Sequence, residues 1–117
     1  MNQNKLEKAI RKGVEELLEE KRYVSTVDLL IKLNYLSEED CKKWRFGKVE
    51  FLEKVCRVNL SRLNFIHRTL NVISTEMNLR KSWTAYMKYG KGSKVRLRFS
   101  KSDDEKIEKR YSTHHVL

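Results

Sequence analysis

The sequence predicts an α+β fold, mainly α, in which several short helices and one longer helix lead into a C-terminal antiparallel β-hairpin. Three observations carry that expectation. The chain has no proline and four glycines in 117 residues, which removes the strongest helix breakers. Apolar residues recur every three or four positions as far as Met77, the spacing of an amphipathic helix. After Asn78 the period falls to two, the spacing of a half-buried strand. With 39% apolar and 36% charged residues, the chain is hydrophilic but patterned, long enough to bury one core and too short for two. One helical domain ending in the hairpin is therefore expected over residues 1–101. Residues 102–117 are expected to be a charged C-terminal tail with at most a short helix.

Leu6, Ile10, Val14, Leu17 and Leu18 share one face of a helix between Asn4 and Arg22. Gly13 inside it costs about 1 kcal/mol relative to alanine. It marks either a close helix crossing or, the preferred reading, a tolerated interruption. Ser25 or Thr26 caps a second, short helix that ends near Asn34, with Asp28 in the first turn, where the helix dipole favours an anion. Ser37 caps a third, which begins Glu38-Glu39-Asp40 and has Lys42, Lys43 and Arg45 near its far end, so both ends match the dipole. Gly47 stops or bends this helix, and Val49, Leu52, Val55 and Cys56 then resume helical spacing as far as Asn59.

Asn59 or Ser61 opens the most regular helix, where Leu63, Ile66, Leu70, Ile73 and Met77 form a narrow stripe expected to face an intrachain core rather than a dimer seam. Beyond it, Trp83, Ala85, Met87 and Tyr89 alternate with polar residues, as Val95, Leu97 and Phe99 do with Arg96 and Arg98. Gly90 and Gly92 lie between them, so the two runs should pair as a hairpin.

Charge is segregated along the chain. Of 26 basic and 16 acidic residues, residues 1–40 hold seven and nine, leaving 19 and 7 from Cys41 onward. Arg80 to Lys101 contains eight cations and no carboxylate. Concentrating one sign raises self-repulsion, and the commonest reason to accept that is attraction of phosphate. Candidate phosphate contacts are Arg62, Lys81, Lys88, Lys91, Lys94, Arg96 and Arg98. On the long helix, Asn64, Arg68, Asn71 and Thr75 share a face away from the apolar stripe. Asn64, Arg68 and Asn71 are the candidate base contacts, because amide and guanidinium groups match base edges in the major groove.

Short helices, a longer helix and a basic two-stranded hairpin resemble the winged helix-turn-helix class of DNA-binding domains. The similarity spans about residues 4–101, and Val24-Ser25-Thr26-Val27-Asp28-Leu29-Leu30 is similar to the capped opening helix of such modules. The resemblance implies one helix in the major groove, the hairpin along adjacent backbone or minor groove, duplex DNA as the favoured partner and regulation of transcription as the use.

RNA is the other nucleic-acid partner considered, with Tyr86 and Tyr89 as stacking platforms, although packing of both tyrosines on the core or surface is the preferred reading. The rival class is a protein-interaction module, in which the acidic first helix and the Trp44 to Phe51 region form a helix-in-groove or homodimer surface and the basic hairpin engages an acidic protein. Trp44 cementing two helices is the simpler expectation. No cofactor or metal is expected, since His67, His114 and His115 have no ligand spacing to Cys41 or Cys56. Catalysis is not expected either. A pairing of His114 or His115 with Asp103, Asp104 or Glu108 is the nearest approach to a nuclease constellation. The two cysteines are expected to be reduced packing groups in a cytoplasmic protein, and no window is apolar enough to span a membrane.

Overall fold

The computed structural model describes residues 2–117. Helix α1 (Gln3–Lys21) is capped by Asn2, whose side-chain oxygen accepts from the Lys5 N–H at 2.9 Å, and it ends in a left-handed Arg22. Strand β1 (Tyr23–Val24) leads directly into α2 (Thr26–Lys32), capped by Ser25. Asn34 takes the positive φ expected after that helix. Helix α3 (Glu38–Arg45), capped by Ser37, is followed by Gly47 at a φ of 76°. The long helix α4 (Leu60–Glu76) is capped by Asn59. Its stripe is buried at Leu63, Ile66, Leu70 and Ile73, whereas Met77, just past the last turn, is 41% exposed. Helix α1 packs against both α2 and α4. Gly13 is a close crossing and not a tolerated interruption, for a Cβ there would stand 2.9 Å from Leu29 Cδ1.

The sequence reading departs from the structure in three places. Residues 49–59 hold only a four-residue 3-10 turn, Leu52–Val55. The chain there is drawn to distant partners, with the N–H groups of Leu52 and Glu53 donating to the carbonyls of Arg98 and Phe99 at 3.1 and 2.9 Å. The regular sheet is also not the hairpin. Strand β2 (Arg80–Trp83) pairs along its length with β3 (Thr113–Val116), which pairs on its other edge with β1, giving a three-stranded antiparallel sheet of order β1-β3-β2. Finally, the segment read as a tail supplies that central strand, preceded by helix α5 (Glu105–Ser112), whose cap Asp104 accepts from the Lys106 and Ile107 N–H groups.

The hairpin survives as a looser wing between β2 and α5. Its arms share one bridge, Met87 with Arg96, and two backbone bonds, Lys88 N–H to Val95 O and Leu97 N–H to Tyr86 O, both 2.7 Å. Other backbone groups of the arms bond outward. Tyr89 N–H donates to Arg45 O at 2.7 Å, and the outer arm feeds the 3-10 turn. Trp44 is 0% exposed and clamps α3 to that arm, its indole N–H donating to Arg98 O at 2.8 Å and its ring lying 5.1 Å from Phe99. Tyr111 of α5 stacks on the other side of Phe99, 5.2 Å between centroids, and donates its hydroxyl to Glu53. The Glu108 carboxylate accepts from both the Phe99 and Ser100 N–H groups. The wing is thus tied to helices at both sides.

Candidate nucleic-acid interface

Seven of the eight cations between Arg80 and Lys101 are exposed, Arg98 being the exception. Among the described residues none of those seven forms an ion pair. Seven of the eight ion pairs among the described residues lie instead within residues 7–76, which hold 12 of the 16 acidic side chains. The net positive field is therefore concentrated on β2 and the wing. Lys91 and Lys94 occupy the wing tip. Lys88 lays its stem against Gly47, within 3.0 Å of where a Cβ would sit. A side chain at Gly47 would have to displace it. Arg96 stacks over Trp83 at 5.1 Å, a contact that holds the guanidinium in an extended presentation on the surface.

Arg98 does not join this surface. Its Nε donates to Ser100 O at 2.9 Å, its Nη2 donates to Lys101 O, and its guanidinium lies 5.3 Å from the Phe51 ring. It shapes the turn that leads to α5, so its expected phosphate contact is replaced by a structural one. On α4 the polar face is real but divided. Arg68 is exposed. The Asn64 side-chain oxygen accepts from Arg110 Nη2 at 3.0 Å. Asn71 is half-buried beside Lys81 and α5. Arg62 is half-buried in the first turn, its backbone N–H bonded to the Asn59 cap.

Tyr86 is not an open stacking platform, since its ring packs on Trp44 and Phe99 and its hydroxyl bonds His114 Nε2 at 2.9 Å. Burial pushes its phenol up to about 12. Tyr89 is exposed, with the Arg45 guanidinium 4.0 Å over its ring. Trp44 is buried and Phe46, in the same segment, is exposed. Both cysteines are free thiols, and burial pushes Cys56 up to about 12, well away from thiolate chemistry at neutral pH.

The residues missed from the sequence are Lys106, Lys109, Arg110 and Thr113. They share with Asn71 and Lys81 a cleft of about 270 Å³ between α5, α4 and the β2–β3 pair. Lys106, Lys109 and Arg110 are spaced three and one, which places them on one face of α5, a signal visible once Asp104 is accepted as a cap, and Thr113 begins β3 at the end of that helix. Two histidines form the floor of this cleft. His115 Nδ1 bonds Ser74 Oγ at 2.8 Å, and burial, with the nearby Lys81 charge, lowers its pKa to about 4. Burial lowers His67 to about 3, with Arg110 adding to the effect.

An acid-lability prediction follows from these values. The unfolded chain protonates its histidines near 6.5 while the folded chain holds His115 neutral, so the unfolded state binds more protons as pH falls through that range. Stability is full above about pH 6.5 and declines toward pH 4, by on the order of 3 kcal/mol for His115 alone. Urea unfolding at about pH 7 and about pH 4.5 checks it; equal midpoints would contradict the buried neutral imidazole.

Comparison with family models, curated proteins and solved structures finds no match for this chain. Its class rests on its own architecture: a mainly helical α+β domain with a three-stranded antiparallel sheet and a cationic wing. Among the described residues no helix is long and apolar enough to cross a membrane.

Proposed function

We propose that this domain binds double-stranded nucleic acid, duplex DNA foremost, through phosphate contacts from β2 and the wing. The observation that carries the reading is the set of seven exposed cations without carboxylate partners between Arg80 and Lys101. Charges with no carboxylate partner among the described residues on so small a surface are best accounted for by an external polyanion. The topology supports it as well. A helix leading into the edge strand β2, followed by a long excursion before the central strand β3, is the arrangement expected of a winged helix-turn-helix domain. Two features set the domain apart from the simplest such module: α3 intervenes between α2 and α4, and the excursion carries a helix of its own.

Base contacts fall mainly to Arg68, because Asn64 is held by Arg110. Phosphate therefore dominates affinity, and discrimination between sequences is modest. Transcriptional regulation is the use this reading favours. About six phosphate contacts give a slope of log affinity against log salt near −5. Anisotropy of a labelled mixed-sequence duplex at several salt concentrations measures it. The triple variant Lys91→Gln, Lys94→Gln, Arg96→Gln, which leaves the structural Arg98 in place, should flatten the slope by about 2.5. Absence of duplex binding even at low salt would refute the reading.

A further inference from the structure

We infer that the cleft between α4, α5 and the β2–β3 pair is a binding site for the phosphoryl group of a small ligand. The inference does not rest on DNA binding by the wing. Four cations, Lys81, Lys106, Lys109 and Arg110, converge on the cleft from two different elements, and no carboxylate is among its lining residues. A surface helix face that existed only to be solvated would mix signs, as α1 does. The volume of about 270 Å³ exceeds what a bare phosphate needs and approaches the lower end of small-ligand pockets.

The second observation lies at the floor. His67 is 4% exposed, yet neither ring nitrogen has a hydrogen-bond partner. Among the described residues its one close ring contact is with Tyr111, perpendicular to it at 4.7 Å between centroids. A buried imidazole left unpaired is unfavourable, a cost that a leucine here would avoid. Arg110 Nε is likewise buried without a partner, while Nη2 of the same guanidinium is held in place by Asn64. A neutral imidazole still offers one N–H donor, and Arg110 Nε offers another. The Thr113 hydroxyl is not available, since it donates to Lys109 O at 2.8 Å. The His67 nitrogens and Arg110 Nε are sealed beneath the floor, so a phosphoryl oxygen reaches them only when the floor side chains shift, whereas the lysine ammoniums at the rim meet it directly. The phosphodiester of a regular duplex meets a protein at its outer surface, whereas a terminal phosphoryl group on a small molecule can enter a recess whose donors are buried.

The test is an imidazole-detected NMR titration of the intact chain with inorganic phosphate at constant ionic strength, with chloride as the reference anion and a mixed-sequence duplex in a parallel arm. Saturable shifts of the His67 ring signals with phosphate, absent with chloride, are expected. Lys81→Gln with Lys109→Gln should weaken phosphate binding about tenfold or more with an unchanged melting temperature. His67→Leu should lose phosphate binding without losing stability. The wing variant Lys91→Gln, Lys94→Gln, Arg96→Gln should bind phosphate as the parent does, so the two readings fail separately. Phosphate that leaves His67 unmoved, or binds the lysine variant as tightly, overturns the inference. Shifts with the duplex but not with phosphate overturn it too, assigning the cleft to the nucleic-acid backbone.

Discussion

Deleting Thr113–Leu117 is expected to abolish cooperative unfolding altogether. These five residues include the whole of β3, which pairs with β1 at two positions and with β2 at four. Without it, β1 and β2 have no strand to pair with, and their backbone groups lose a ladder that nothing else in the chain can replace. Buried His115 leaves with it, opening the core beside Ser74. A small domain has a stability of about 5–15 kcal/mol, and losing a central strand exceeds that reserve. The expected readout is a urea profile with no sigmoidal transition and loss of amide dispersion in the NMR spectrum. Removal of Leu117 alone, which is exposed and contributes one backbone bond to Arg22 O at 3.0 Å, should leave the transition intact. A cooperative transition in the shorter chain would show the tail to be an appendage after all.

Trp44→Ala carries the next largest effect, a loss of about 3–5 kcal/mol. The side chain is fully buried and touches Tyr86 and Phe99, so its removal empties the joint between α3 and the outer arm of the wing. Trp44→Phe should cost much less. The Arg98 carbonyl, which loses the indole donor, still accepts from Leu52 N–H at 3.1 Å, and most of the apolar volume remains. Urea midpoints for the two variants separate a packing role from a hydrogen-bonding one. Equal losses would make the indole N–H, and not the ring, the main contributor. Because the same joint holds the wing against α3, the alanine variant should also weaken duplex binding while leaving Lys91, Lys94 and Arg96 in place.

The candidate site was partly legible. Lys88, Lys91, Lys94 and Arg96 stand exposed where the alternation of the hairpin put them, because turn residues and side-chain periodicity are short-range properties. Arg98 and Asn64 were read equally well from the same patterns and are nonetheless committed elsewhere, to the Ser100 and Lys101 carbonyls and to Arg110. The partner of Asn64 lies 46 residues away, beyond any spacing rule. Tyr86 shows the same limit. Its packing agrees with the preferred reading of the sequence, but its partner does not follow from any spacing, since His114, 28 residues on, takes its hydroxyl.

By itself the sequence determined the mainly helical α+β class, the helix start at Ser37, the other two starts to within two residues (Ser25 or Thr26, Asn59 or Ser61), the apolar stripe of the long helix as far as Ile73, though not its extension to exposed Met77, and the basic character of the wing. Each depends on interactions within a few residues, where caps, turns and periodicity act. Tertiary structure alone decided that a four-residue stretch, Thr-His-His-Val, becomes the middle of the sheet, that the hairpin arms bond outward to α3 and the 3-10 turn, and that α5 closes a cationic cleft over His67. A strand that short has too few positions to declare a period. Its place is set by which unpaired edges the rest of the chain leaves within reach.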